Sequence, residues 1–287
     1  VRYPAFVYTE HLRIPVGTGA LHVERLGRGG PAVVLLHGFG SCSFLWRAIA
    51  PVLAGDGYTV VAVDLLGHGE SDRPTDAPYS LGAQAEYVER ALTAMRLGEV
   101  SVVGQDMGAL VGLLLAAQHP SRVRRVALLE PLDPDDLPGP AIRSLQRNSA
   151  LTALTAQSLF GARPLLATLL EGAVSSPDLL SDRLLARYLA PFVGSQGAAQ
   201  LLQLASAVEL SGDERHSLRD VQTDILLWCG VAGEDPTDDE GARRTARWTQ
   251  LLPAAQVQTV AALHRAGTLV AEDAPEALVS ALRPWIT

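Results

Sequence analysis

"VVGQDMGALVG", residues 102–112, decides the fold. A short apolar run leads into a Gly-x-x-x-Gly turn, and an apolar helical run leaves it. Glycines at 104 and 108 let a strand and a helix approach closely, while Asp106, midway between them, projects from the turn. A carboxylate there faces the free N–H groups of a helix start, which favour negative charge. Two glycines at this spacing also occur by chance, so the specificity of the pattern comes from its neighbours.

Working outward, "PAVVLLHG" (31–38), "YTVVAVDLLG" (58–67), "SVVGQD" (101–106), "RRVALLE" (124–130), "TDILLWCG" (223–230) and "QVQTVAA" (256–262) are continuous apolar runs. Such runs fit strands buried on both faces. "ALHVERLG" (20–27) alternates like a half-buried strand and is expected to pair with the segment around Leu12–Val16 as a hairpin. Between the runs lie helical patterns. In residues 80–98, Leu81, Ala85, Val88, Ala91, Leu92 and Met95 share one face, and Ser80 caps the start. The last helix is expected to begin near Asp273, with Pro275 in its first turn. The alternation predicts an α/β fold, a mostly parallel eight-stranded sheet with helices on both faces.

Residues 133–213 break the rhythm. "LDPDDLPGPAIRS" leads into Leu- and Ala-rich helical segments with no strand among them, and the pattern resumes at "LRDVQTDILLW". The expectation is a helical cap, 133–213, inserted into a core made of 1–132 and 214–287. Ordinary surface helices are the alternative.

Three motifs in order, "LLHGFG" (35–40), "DLLGHGESDRP" (64–74) and "GQDMG" (104–108), resemble the α/β-hydrolase superfamily. The most similar branch is that of epoxide hydrolases and haloalkane dehalogenases, which use aspartate where others use serine. A flavodoxin-like or Rossmann sheet would not explain "HGFG" and "GHGESD" together. The resemblance implies an α/β-hydrolase fold, with Asp106 as nucleophile and the backbone N–H groups of Phe39 and Met107 as the oxyanion hole. It places Asp235, in "WCGVAGEDP" (228–236), as the acid partner, and Glu130 at an alternative acid position. Gln105, Trp46 and Tyr188 are expected to line the substrate pocket.

One part is missing. Aligned on "EDAP" (272–275), the family histidine falls at Thr268, inside "ALHRAGTLVAEDAPEAL" (262–278). That histidine deprotonates the water that cleaves the aspartyl ester, and threonine has no proton affinity near neutral pH. His264 lies four residues upstream, roughly 13 Å of extended chain away, and stands in only through a loop detour. His37 and His68 belong to structural turns, and nothing in the sequence singles out His11, His22, His119 or His216.

Other departures narrow the chemistry. Met107 replaces the tryptophan, and Phe39 the asparagine, that hold the halide in dehalogenases. Tyr188 is the only tyrosine in the expected cap, where epoxide hydrolases use a pair. The leading expectation is therefore an enzyme in which Asp106 does acid/base or non-hydrolytic work: cyclisation, elimination, isomerisation or intramolecular epoxide opening. Like charge from Glu130 or Asp235, added to burial, would raise its pKa. An epoxide hydrolase with His264 as substitute base and a non-catalytic ligand binder are the alternatives.

Composition sets the frame. The chain has 287 residues and a formal net charge of −8, which argues against nucleic acid. Its longest apolar stretch, residues 109–117, is too short to span a membrane. The amino terminus lacks the pattern of a secretory signal, so a cytoplasmic location is expected. Two cysteines, Cys42 and Cys229, indicate neither a disulfide framework nor a zinc cluster, and no cofactor or metal is expected. Phe39, Phe44, Trp46 and Met107 point to a small hydrophobic substrate, and a place in secondary-metabolite biosynthesis would suit it. The sequence does not report the oligomeric state.

Overall fold

Eight strands pair into one sheet in the order β1-β2-β4-β3-β5-β6-β7-β8 in the computed structural model, which describes residues 8–147, 163–229, 240–260 and 267–286. The strands are β1 (Thr9–Pro15), β2 (Ala20–Leu26), β3 (Ala32–Leu36), β4 (Thr59–Val63), β5 (Val100–Gln105), β6 (Val123–Leu129), β7 (Asp224–Trp228) and β8 (Val257–Thr259). β1 and β2 form the expected antiparallel hairpin, β2 runs antiparallel to β4, and every other pairing is parallel. All residues of β3, β4 and β5 are buried. That is why these segments carry no alternation: both faces are covered by helices, and each buried Val or Leu contributes about 1.5–3 kcal/mol.

The helices in chain order are α1 (Ala50–Gly55), α2 (Leu81–Ala94), α3 (Met107–Gln118), α4 (Pro140–Arg147), α5 (Arg163–Glu171), α6 (Asp182–Leu189), α7 (Gly194–Ser206), α8 (Gly212–Ser217), α9 (Glu240–Leu251), α10 (Val270–Asp273) and α11 (Pro275–Ile286). Ser80 caps α2 by accepting from the Ala83 N–H, and Pro275 occupies the first position of α11. α3 is buried on every side from Met107 to Ala116, so it shows no amphipathic stripe. No helix among the described residues is long and apolar enough to cross a membrane.

Between β6 and β7 the described residues form helices α4 to α8 and short 3-10 turns, with no strand. Polar ties fasten this segment to core loops. Arg187 of α6 bonds Glu70 at 2.8 Å, and the Ser175 N–H donates to Asp273 at 3.0 Å. Arg47, in the 3-10 turn Ser43–Ala48, grips the Glu272 carboxylate with two bonds of 2.5 and 2.6 Å. The Tyr188 hydroxyl of α6 donates to the same carboxylate.

The Glu272 side chain is only 5% exposed, so removing its cation strands a buried charge. Arg47→Ala is expected to destabilise the protein by about 3 kcal/mol. A denaturant midpoint would show it, whereas a midpoint within error of wild type would mean the ion pair holds nothing.

Candidate functional site

Asp106 adopts φ +55° and ψ −123°, a conformation an L side chain takes only when its surroundings enforce it. Here they do. A Cβ on Gly104 would lie 2.3 Å from the Gly108 carbonyl oxygen, and one on Gly108 would lie 2.4 Å from that of His37. The β5–α3 turn is therefore closed so tightly that its apex residue is thrust out beyond the sheet. Its backbone stays tied to the next strand, since the Asp106 N–H donates to Leu129 O at 3.0 Å.

The carboxylate meets the turn after β3. The Phe39 N–H donates to Asp106 Oδ2 at 2.8 Å, and the Met107 N–H also holds the carboxylate. The two amides of the expected oxyanion hole thus converge on the aspartate's own carboxylate. Gly38 makes the approach possible, because a Cβ there would sit 2.7 Å from Asp106 Cβ. Burial raises the Asp106 pKa to about 6, against the lowering pull of the two N–H bonds. Among the described residues no like charge contributes to this shift, Glu130 included, and Asp235, the other expected source, lies outside them.

The reason is visible at Glu130. Its side chain is 2% exposed and its Oε2 accepts from Arg244 at 2.8 Å, so a cation already compensates its charge. Glu130 lines the cavity, at φ +45°, as an ion-paired carboxylate.

A cavity of about 690 Å³ joins these groups, a size suited to a small organic ligand. Phe39, Gln105, Asp106, Glu130, Thr268 and Leu269 are among the residues that line it. Leu132, Ile142, Leu169 and Leu170 supply much of its apolar wall. Gln105 is fully buried. Its Oε1 accepts from Ala271 N–H at 3.4 Å, and its Nε2 has no partner among the described residues.

Three residues expected at the pocket are placed differently. Tyr188 is turned away to Glu272, whose ion pair with Arg47 gives its hydroxyl a charged acceptor. Trp46 is fully buried in the core with the turn that carries Arg47, and does not line the cavity. The Met107 side chain packs into the core as the first residue of α3, so only its backbone reaches the site. Asp235 and His264 lie outside the described residues.

Thr268 stands exposed at the cavity, its hydroxyl 3.5 Å from Ala173 O. No imidazole appears among the described residues lining the cavity. His37 is buried as a neutral pin: Nδ1 donates to Gly38 O at 2.8 Å and Nε2 accepts from Leu65 N–H at 3.0 Å. Burial lowers its pKa, and holds that of His68 down at about 3.

The sequence reading missed Arg243, Arg244 and Arg247, which α9 presents to the cavity. Arg247 pairs with Asp133 at 2.7 Å. The signal was available in "ARRTARW" (242–248), where arginines three and four apart share one helix face.

Comparison with known proteins places this geometry. A haloalkane dehalogenase of Agrobacterium fabrum is 44% identical over 112 residues, 39% of this chain and 36% of that protein. The chain spans under two fifths of the length of two curated haloalkane dehalogenases that it matches. The crystal structure of Cfl2 from Burkholderia cenocepacia superposes with a TM-score of 0.80 at 25% identity, covering 98% of this chain and all of that one. The epoxide hydrolase CorEH superposes with a TM-score of 0.76 at 20% identity, over 97% and 98% of the two chains, a likeness of fold. Residues 31–266 match the alpha/beta hydrolase fold family, and this chain, with its aspartate at the elbow, belongs to it.

Proposed function

We propose that the protein is an enzyme in which Asp106 moves protons on a small, largely apolar organic molecule without a histidine base. The observation that carries this reading is a cavity-facing carboxylate raised to about 6, in a lining whose described residues include no imidazole. A group titrating there passes a proton in either direction near neutrality.

The reaction that suits it is intramolecular epoxide opening. The Asp106 carboxylate takes the proton of a substrate hydroxyl, and that oxygen attacks an epoxide carbon of the same molecule. The epoxide C–O bond breaks, and the released oxygen takes the proton back from the Asp106 carboxyl. A cyclic ether-alcohol forms, no water is consumed, and the carboxylate is restored. The Phe39 and Met107 N–H groups hold the carboxylate in place. Residues 133–213 serve as a cap that keeps water out, and Asp235 adds a second carboxylate as acid partner. A step in secondary-metabolite biosynthesis would use such chemistry.

The contact from Phe39 to Oδ2 also favours a second reading. Attack on an epoxide by Oδ1 would leave Oδ2 as the ester carbonyl oxygen, already held by the Phe39 N–H.

Conversion of an aryl-substituted hydroxy-epoxide in H2¹⁸O separates the readings. The expected product is an isomer of the substrate without ¹⁸O, and the protein mass stays unchanged. A labelled triol would show hydrolysis, with His264 or another base at work. A protein heavier by one substrate would show a trapped ester, and tight binding without conversion would show a binder.

A further inference from the structure

The amino-terminal hairpin carries a cluster unrelated to the cavity. β1 and β2 pair so that His11 lies opposite Glu24, and His22 is two residues before Glu24 on the same strand face. His11, His22 and Glu24 each offer one ligand atom, a ring nitrogen or a carboxylate oxygen, within 4.8 Å of the other two. His11 Nδ1 and His22 Nε2 are 3.2 Å apart. Nitrogens bound to one zinc ion at about 2.0–2.1 Å in tetrahedral geometry are separated by about 3.3 Å, so the pair stands at a ligand spacing.

The outer partners fit as well. His22 is buried, its backbone N–H is held by Ser71 Oγ at 2.8 Å, and its Nδ1 is 2.9 Å from Asp64 Oδ2. Asp64 also accepts from the Ser43 and Glu70 N–H groups, at 2.5 and 2.8 Å. It therefore serves as the acceptor, which puts the ring hydrogen on Nδ1 and aims the Nε2 lone pair at His11. This is the carboxylate–histidine arrangement that orients a metal-bound imidazole. Glu70 brings a further carboxylate oxygen 3.9 Å from His22 Nε2. Arg13 shares this face, opposite His22, but its guanidinium is drawn to Asp72 and to the Glu70 carbonyl.

We propose that His11, His22 and Glu24 form a binding site for one divalent transition-metal ion of the zinc type, which clamps β1 to β2. His11 is exposed, so the ion exchanges with solvent. The ligands come from residues eleven and two positions apart, with no cysteine among them, which is why a cysteine-based search of the sequence finds no metal centre.

Equilibrium dialysis of the tag-free full chain against ZnCl2, repeated with CoCl2, tests this. The expected result is one ion per chain in the micromolar range or tighter. Cobalt should give a visible d–d absorption, and His11→Ala and His22→Ala should each weaken binding by about tenfold or more. His216→Ala, on exposed α8, should leave it unchanged. Because His11 is exposed, His11→Ala tests the site without disturbing the core. Millimolar binding, or binding that His11→Ala does not alter, would overturn the assignment and leave a plain N–H···N bond between the rings.

Discussion

Asp106→Asn is expected to make the protein more stable and inert at once. The wild-type carboxyl has its pKa raised by burial from 3.8 to about 6. A raised acid is protonated in both states below about 4, and that contribution to stability is lost as pH rises through 6. Above pH 7 the native state therefore carries a charge that costs about 3 kcal/mol relative to the unfolded chain. Asparagine keeps the shape and an oxygen for the Phe39 N–H but carries no charge. Its thermal midpoint should exceed wild type by about 5 °C at pH 8 and fall back to it near pH 4. Activity should drop by about 10²–10⁴-fold, the usual contribution of a positioned proton-transfer group. Equal midpoints at pH 8, or retained activity, would remove Asp106 from the centre of the account.

Thr268→His is the converse experiment and should confer hydrolysis. Thr268 lines the same cavity as Asp106 and its side chain is exposed there, so an imidazole has space. A base at that position deprotonates the water that an aspartyl ester requires. Multiple-turnover hydrolysis of styrene oxide should rise by about 10²–10⁴-fold over wild type. The gain should sit toward the lower end if the new histidine must be oriented by Glu130, because Arg244 already holds that carboxylate at 2.8 Å. A folded variant with no gain would show that the missing histidine is not what separates this chain from its hydrolytic relatives.

The sequence was most legible where a single strand or turn carries its own signal. The buried runs of β3, β4 and β5, the Ser80 cap and the Gly104–Gly108 turn are local features, and each appears where its residues predict. The site was less legible because its electrostatics are long-range. Glu130 and Arg244 are 114 residues apart, and Tyr188 and Glu272 are 84 apart. No local pattern says that an aromatic hydroxyl will find a buried ion pair instead of a substrate. His11 and His22 were unremarkable singly, and only the β1–β2 register brings their rings together. The raised pKa of Asp106 was expected from burial and like charge together; burial acts as expected, while Arg244 compensates the charge of Glu130.

The most direct test is the titration of Asp106 itself, read as the infrared difference between wild type and Asp106→Asn from pH 3 to 9. The account predicts a carboxylate band that grows in with a midpoint near 6 and no coupled imidazole signal. A midpoint at or below about 4, the ordinary aspartate value, or an imidazole titrating with it, would contradict the account.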